Sequence, residues 1–106
     1  MPRFGAEVSH TLGCDAATER LKGFADRLRQ RYKDQIKNIE ESWDEDGRLH
    51  FAFKSMGMKI KGTISIDDDG VKLEGSLPFA AIAFRGKIES EIRSQLERAL
   101  KPDADA

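Results

Sequence analysis

Two histidines, one cysteine and two acidic clusters are the residues of this 106-residue chain whose types suit catalysis or metal binding. Cys14 stands just ahead of a predicted helix, where the N-terminal dipole lowers a thiol pKa and favours the nucleophilic thiolate. A working nucleophile also needs a base within hydrogen-bond reach. The nearer histidine, His10, lies four residues earlier on a predicted strand, so a structural cysteine is the simpler reading. By alternation His10 shares an inner face with Val8 and Leu12, whereas His50 falls on the outer face of a later strand. That opposition, with no second cysteine, no His-x-x-x-His and no Cys-x-x-Cys, leaves no expected metal site. Asp44-Glu45-Asp46-Gly47 and Asp67-Asp68-Asp69-Gly70 invite comparison with calcium loops. An EF-hand loop spreads its ligands over about 12 residues between helices. These clusters sit between predicted strands and read as turns, with Asp tolerating left-handed backbone and Gly supplying positive φ. No catalytic residue and no cofactor is expected.

Apolar and basic stretches offer binding rather than chemistry. Leu77-Pro78-Phe79-Ala80-Ala81-Ile82-Ala83-Phe84 is apolar on every side of a predicted helix. At 100° per residue its large side chains cannot all face one sheet, so Leu77, Phe79, Ile82 and Phe84 are expected to form a partner or polymer surface. The competing reading is an irregular first turn folded beneath the first helix. Met56 and Met58 could extend such a surface, methionine being adaptable at apolar contacts. Gly86 marks either a bend or a close contact. Lys54, Lys59, Lys61 and Lys72 form a basic group on the outer sheet face. It has no exposed aromatic for base stacking, and 18 Lys+Arg against 19 Asp+Glu give a net charge of −1. Nucleic acid is therefore not an expected partner.

The elements that must hold these residues follow from periodicity. Val8, His10 and Leu12 alternate as a first strand, ended by Gly13. With Asp15 as N-cap, Ala17, Leu21, Phe24, Ala25, Leu28 and Tyr32 stripe one helix from about Ala16 to Lys33. Four strands follow: Lys37 to Trp43, then those centred on Leu49-Phe51-Phe53, on Met58-Ile60-Ile64-Ile66 and on Val71-Leu73-Leu77, joined by glycine-bearing turns. In the last hairpin a four-residue loop pairs Gly62 with Gly75 and leaves a notch in the apolar face. A two-residue loop pairs Ile64 with Gly75 and Gly62 with Leu77. Both glycines are on the buried side either way. Pro78 opens a last helix over Phe79 to Leu100, with Ile88, Ile92, Leu96 and Ala99 inward and Glu89, Glu91, Arg93, Glu97 and Arg98 wet. The predicted fold is α+β: a five-stranded antiparallel sheet in the order 1-5-4-3-2 with two helices on one face, β-α-β-β-β-β-α. Residues 1–100 form a single domain and 101–106 a frayed tail. No stretch approaches the roughly 20 apolar residues of a transmembrane helix, and no secretory leader is evident; a lone cysteine suits a reducing cytoplasm.

In topology this arrangement resembles a shortened helix-grip fold, the architecture of Bet v 1 and START-type proteins. Several segments resemble one family more closely. They are Val8-Ser9-His10-Thr11-Leu12-Gly13 leading into a helix that ends near Leu28-Arg29-Gln30-Arg31-Tyr32, Trp43 followed by Gly47-Arg48-Leu49-His50-Phe51, and Phe84-Arg85-Gly86-Lys87-Ile88-Glu89-Ser90-Glu91-Ile92. Together, over roughly Glu7 to Leu100, they resemble the small bacterial polyhydroxyalkanoic acid system family. The resemblance implies a setting beside polyhydroxyalkanoate storage loci and a role at or near the granule; it supplies no catalytic or ligand residues. The expectation is a noncatalytic accessory or binding protein that meets the granule, a granule-associated protein or a second copy of itself through the apolar segment at 77–84. The alternative is a carrier that holds an acyl ligand between sheet and last helix over Gly62 and Gly75. A third reading, acyl-thioester chemistry at Cys14, lacks an assembled acid–base set.

Overall fold

Alternation along the strands settles which face of the sheet is dry. Leu49, Phe51 and Phe53 are buried and their neighbours Ala52 and Lys54 are not; Ile60, Gly62 and Ile64 repeat the pattern on the next strand. In the computed structural model, which describes residues 2–101, the elements run β1 (Arg3–Ser9), α1 (Cys14–Leu21), α2 (Phe24–Arg31), β2 (Lys37–Trp43), β3 (Leu49–Ser55), β4 (Met58–Ile66), β5 (Gly70–Ser76), a 3-10 segment (Phe79–Phe84) and α3 (Arg85–Leu100). The five strands are antiparallel in the order β1-β5-β4-β3-β2, as the meander predicts. The β4–β5 hairpin takes the four-residue loop, with Ile66 opposite Val71 and Gly62 opposite Gly75. All helices cover the apolar face, over a core whose fully buried members include Leu21, Phe24, Leu49, Ile60, Ile64, Leu73, Leu77 and Leu96.

The structure departs from the sequence reading in four places. The first strand lies earlier, at Arg3–Ser9, with Phe4, Ala6 and Val8 inward. Pairing with β5 sets it there, since Phe4 must face Gly75 and Val8 must face Val71. Asp15 is not the N-cap: Gly13 occupies that position and Cys14 opens the helix. The single helix from Ala16 to Lys33 is two helices. Lys22 is extended (φ −66°, ψ 126°) and Gly23 left-handed (φ 89°), a conformation nearly free of cost only for glycine. The break turns Phe24 into the core, where it meets Phe51 edge-on at 6.5 Å. Glu41 of β2 accepts the Ala25 N–H at 3.3 Å, so a carboxylate from the sheet serves the positive end of α2. Lastly, Phe79 to Phe84 is 3-10 rather than α-helical, and α3 begins at Arg85.

Two ties fix α3. Arg20 of α1 donates to the carbonyl oxygens of Ala99 (3.4 Å) and Lys101 (2.7 Å) at its C-terminal end. At its other end the Glu89 carboxylate accepts the Gly5 N–H of edge strand β1 at 2.8 Å, using a donor that the sheet leaves unpaired. Glu89 is therefore half-buried rather than wet. Of the expected frayed tail at 101–106, residues 102–106 lie outside the described residues.

Candidate functional site

The N-terminal candidates are structural. His10 is buried. Its Nδ1 accepts the Leu12 N–H at 3.2 Å, which leaves Nε2 to donate to the Asp67 carbonyl at 2.9 Å. Neither ring nitrogen is available as a base for Cys14, whose thiol donates to the Ile66 carbonyl at 3.6 Å. Asp68 Oδ1 accepts the Cys14 N–H at 3.1 Å. The acidic hairpin loop is thus a clasp on the start of α1. No group of three or more potential metal ligands forms among the described residues.

On the outer sheet face His50 and Thr63 stand directly opposite each other. Thr63 Oγ1 lies 3.0 Å from His50 Nδ1, and Asp44 Oδ2 lies 2.7 Å from His50 Nε2. The order hydroxyl–imidazole–carboxylate is that of a nucleophile relay, which the sequence reading missed because it depends on cross-strand register. No main-chain N–H beside Thr63 is free to serve an oxyanion. Thr63 is on β4, between β3 and β5, where main-chain N–H groups are committed to the ladders. Asp44 also accepts the Arg48 and Asp46 N–H groups and the Arg48 guanidinium. The His50 hydrogen bond first, then these, hold its carboxyl well below the usual range. The cluster fastens the β2–β3 turn. The basic group divides: Lys54 opposes Lys59, while Lys72 lies opposite Ser65 and 3.9 Å from Glu74.

Gly62 and Gly75 are not an open notch. The register sets Phe4, Gly75, Gly62 and Phe51 in one row across β1, β5, β4 and β3. A Cβ on Gly75 would meet Phe4 Cζ at 2.4 Å, and one on Gly62 would meet Phe51 Cζ at 2.5 Å. The two phenyl rings fill the space that the missing side chains leave. Gly86 is no close contact either, since a Cβ there meets open space.

On the helix-covered face the space lies elsewhere. A cleft of about 860 Å³ opens between the ends of α2 and α3 and the β3–β4 hairpin. Phe53, Ile60 and Ile92 give it an apolar floor, Met58 and Ile88 its walls, and Met56 and Phe84 its rim. Inside stands the hydroxyl of Tyr32, a residue that the sequence places only in the apolar stripe of the first helix. Tyr32 Oη donates to Glu91 Oε2 at 2.5 Å and accepts from Gln95 Nε2 at 3.4 Å. Burial, and then the Glu91 hydrogen bond, push the Tyr32 phenol above its ordinary value. Glu91 is half-buried and lines the cleft rather than the wet side. Its spacing of three from Ile88 was the available signal, because helix positions three apart are neighbours on one face.

The apolar segment splits. Leu77 is fully buried and is not a partner surface: its N–H donates to the Pro2 carbonyl at 3.0 Å, which continues the β5 line into the core. With three residues per 3-10 turn, Phe79 and Ile82 share one ridge, and Ala81 and Phe84 another. Ala81 is buried, Phe84 borders the cleft, and Phe79 and Ile82 are exposed at 77% and 49%.

Solved structures of low identity share this architecture. A crystal structure of the di-domain ARO/CYC BexL from the BE-7585A biosynthetic pathway superposes with TM-score 0.63 at 13% identity over 99% of this chain. This chain spans 47% of that protein's length. Norcoclaurine synthase from Thalictrum flavum, in complex with dopamine and hydroxybenzaldehyde, superposes with TM-score 0.55 at 11% identity, covering 93% of this chain and 83% of that one. A protein from Nitrosospira multiformis gives TM-score 0.55 at 10% identity, covering 99% and 100%. At such identity these establish the fold, a helix-grip arrangement, and nothing further. No curated protein matches the sequence. Residues 6–100, nearly the whole chain, match the family described as "Putative polyhydroxyalkanoic acid system protein", and the chain belongs to that family.

Proposed function

We propose that the protein is a noncatalytic accessory of polyhydroxyalkanoate storage that seats on a hydrophobic surface through Phe79, Ile82, Phe84 and Met56. One observation carries this reading. Large hydrophobic side chains are exposed at these four positions, three on the 3-10 segment and one at the β3–β4 hairpin tip, and two of the four border the same cleft. Apolar exposure so concentrated marks a contact surface. Family membership supports a storage polymer as what it contacts.

The test is co-sedimentation of the purified protein with isolated polyhydroxyalkanoate granules from low salt to about 1 M, where the Debye length is about 3 Å. Apolar seating persists at high salt. The Phe79→Asp/Ile82→Asp double variant should stay in the supernatant with an unchanged circular dichroism spectrum, since both side chains are already solvent-facing. Absence of the wild type from the pellet at every salt concentration overturns the reading, as does pelleting of the double variant at the wild-type level. Self-association through the same four residues would appear instead as dimer in analytical ultracentrifugation.

A second reading has its own observation. The 860 Å³ cleft falls within the roughly 300–1,000 Å³ of small-molecule sites, and it supports a carrier of an acyl ligand. The ligand would then lie beside Phe53, Ile60 and Ile92, not over the glycine pair.

A further inference from the structure

The geometry points to an anionic lipid surface as what the apolar patch seats on, met end-on by the β3–β4 hairpin end of the sheet. The inference rests on the apolar contact reading and adds the chemistry of the partner. Strand direction separates the charges of this chain. Strands β2 to β5 alternate in direction, so the turns at 44–48 and 67–69 share one end of the sheet and the Met56-Gly57 turn lies at the other. Ser9 pairs with Gly70, which brings Asp15 in the first turn of α1 to the first end as well. Both acidic clusters and Asp15 thus gather at one end, against Arg48.

The hairpin end is basic and apolar. Lys37, Lys54 and Lys59 stand in one row across β2, β3 and β4. They project from the outer sheet face, away from the cleft. Lys54 and Lys59 are each two residues from the turn, roughly 7 Å along the strand, which a lysine side chain can span. All three are exposed, and none has an ion pair among the described residues. One row further in, Lys61 and Arg3 stand against Glu40. On the helix side of the same end are the exposed Phe79, Ile82, Phe84 and Met56, with Lys87 and Asp34 beside the cleft. Like charges directly opposite one another destabilise a sheet, and anions laid against the row remove that cost. Lysine also lays its stem along apolar surface and holds its ammonium at the water boundary. Apolar side chains flanked by cations suit a face that lies in a lipid interface. With a net charge of −1 the chain has no general attraction to anions. The separation of charge therefore sets orientation, with the hairpin end toward the headgroups and the acidic turns away. A bare polymer would be served by the apolar patch alone; the lysine row calls for headgroups.

Sedimentation of the full chain with sucrose-loaded vesicles tests this. One set is phosphatidylcholine alone and the other is equal parts phosphatidylcholine and phosphatidylglycerol. A lysine near an anionic surface is worth about fivefold in affinity at low salt, so the wild type should bind the mixed vesicles about a hundredfold or more tighter than the neutral ones. Salt at about 1 M should remove the difference. Lys54→Gln/Lys59→Gln should lose about 25-fold on the mixed vesicles, fivefold for each lysine, and nothing on the neutral ones. Arg93→Gln/Arg98→Gln has the same net charge, but its changes lie roughly 12 and 20 Å along α3 from Arg85; it should bind like the wild type. Phe79→Asp/Ile82→Asp should lose binding to both sets. All six positions are exposed, and circular dichroism verifies that each variant is folded. Equal binding of the wild type to both sets, or equal losses in the two charge variants, overturns the inference and leaves apolar seating standing. Binding to neither set overturns it too, and granule co-sedimentation then decides the apolar reading independently. Salt-sensitive self-association in place of vesicle binding, lost in Lys54→Gln/Lys59→Gln, overturns it and assigns the lysine row to the acidic end of a second copy.

Discussion

Replacing Gly75 by alanine should destabilise the domain more than replacing its partner Gly62, although the two face each other in one register. A Cβ on Gly75 would lie 2.4 Å from Phe4 Cζ and 2.5 Å from the Lys61 carbonyl oxygen. On Gly62 it would lie 2.5 Å from Phe51 Cζ and 3.1 Å from Leu73 Cδ1. Every atom against Gly62 is the far end of a side chain, which can swing aside by rotation about χ. The Lys61 carbonyl belongs to the backbone of β4 in the middle of the sheet and cannot. Overpacking a core costs about 1–3 kcal/mol, so Gly62→Ala belongs near the lower figure and Gly75→Ala near the upper. At about 4–8 °C per kcal/mol for a domain of this size, Gly75→Ala should lower Tm by roughly 12–24 °C and Gly62→Ala by roughly 4–8 °C. Thermal unfolding followed by far-ultraviolet circular dichroism and Trp43 fluorescence measures both. A double-mutant cycle then assigns the cause. In a Phe51→Leu background Gly62→Ala should lose most of its cost, whereas in a Phe4→Leu background Gly75→Ala should keep the part owed to the carbonyl. A Gly75→Ala variant that melts with the wild type, or one less perturbed than Gly62→Ala, would refute the packing account of this row.

Two titrations follow from the hydrogen-bond geometry. Asp44 is held below its ordinary 3.8, so its contribution to stability is fully present above that pH and fades as pH falls through the lower folded value; Asp44→Asn should flatten this acid limb in urea unfolding, and superimposable limbs would remove Asp44 from the account. Tyr32 is the one tyrosine of the chain, which makes ionised-phenol absorbance a clean probe. Its midpoint should exceed 10.0 in the folded protein, with the matching stability present below 10.0 and lost as pH rises through the folded value. Glu91→Gln should move that midpoint down without returning it to 10.0, because burial is the larger cause; an unmoved midpoint would deny the Tyr32–Glu91 bond.

Much of the sheet was legible because its signals are local or follow from parity. Alternation identifies the inward residues of β3, β4 and β5, and the requirement that Ile66 and Val71 share a face narrows the hairpin loop to lengths that bury both glycines. What parity cannot supply is the content of the space beside them. Whether Gly62 and Gly75 leave a void or a bed for rings depends on Phe4 and Phe51 arriving from strands 71 and 11 residues away in sequence. Phe4 lies outside the alternation of Val8, His10 and Leu12, which by itself reads as the first strand. The helix break at Gly23 was hidden for a related reason. The apolar stripe from Ala17 to Leu28 continues across it, and a stripe reports which side is dry rather than whether the axis is straight. Leu77 failed as a surface residue because it follows β5 directly and keeps that strand's inward parity. Its apolar neighbours Phe79 and Ile82 enter a 3-10 turn, which changes the period and turns them outward.

The same break explains why a domain this small has a cleft. A continuous helix from Ala16 to Lys33 would lie along one line over the sheet beside the last helix, and paired helices over one sheet close on each other. Instead α1 packs with α3, and α2, redirected at Gly23, packs on β2. α3 lies against β1, and the apolar floor of Phe53 and Ile60 is left open between the end of α2 and α3. Tyr32, just past the end of α2, and Glu91, on α3, reach across that gap to each other. Their bond therefore ties the two helices across the cleft. A half-buried polar pair that serves only as a tie can be replaced by apolar side chains at little cost to stability. Tyr32→Leu/Glu91→Leu tests this, since it should fold and melt near the wild type, and a large fall in Tm would show that the bond itself holds the helices together.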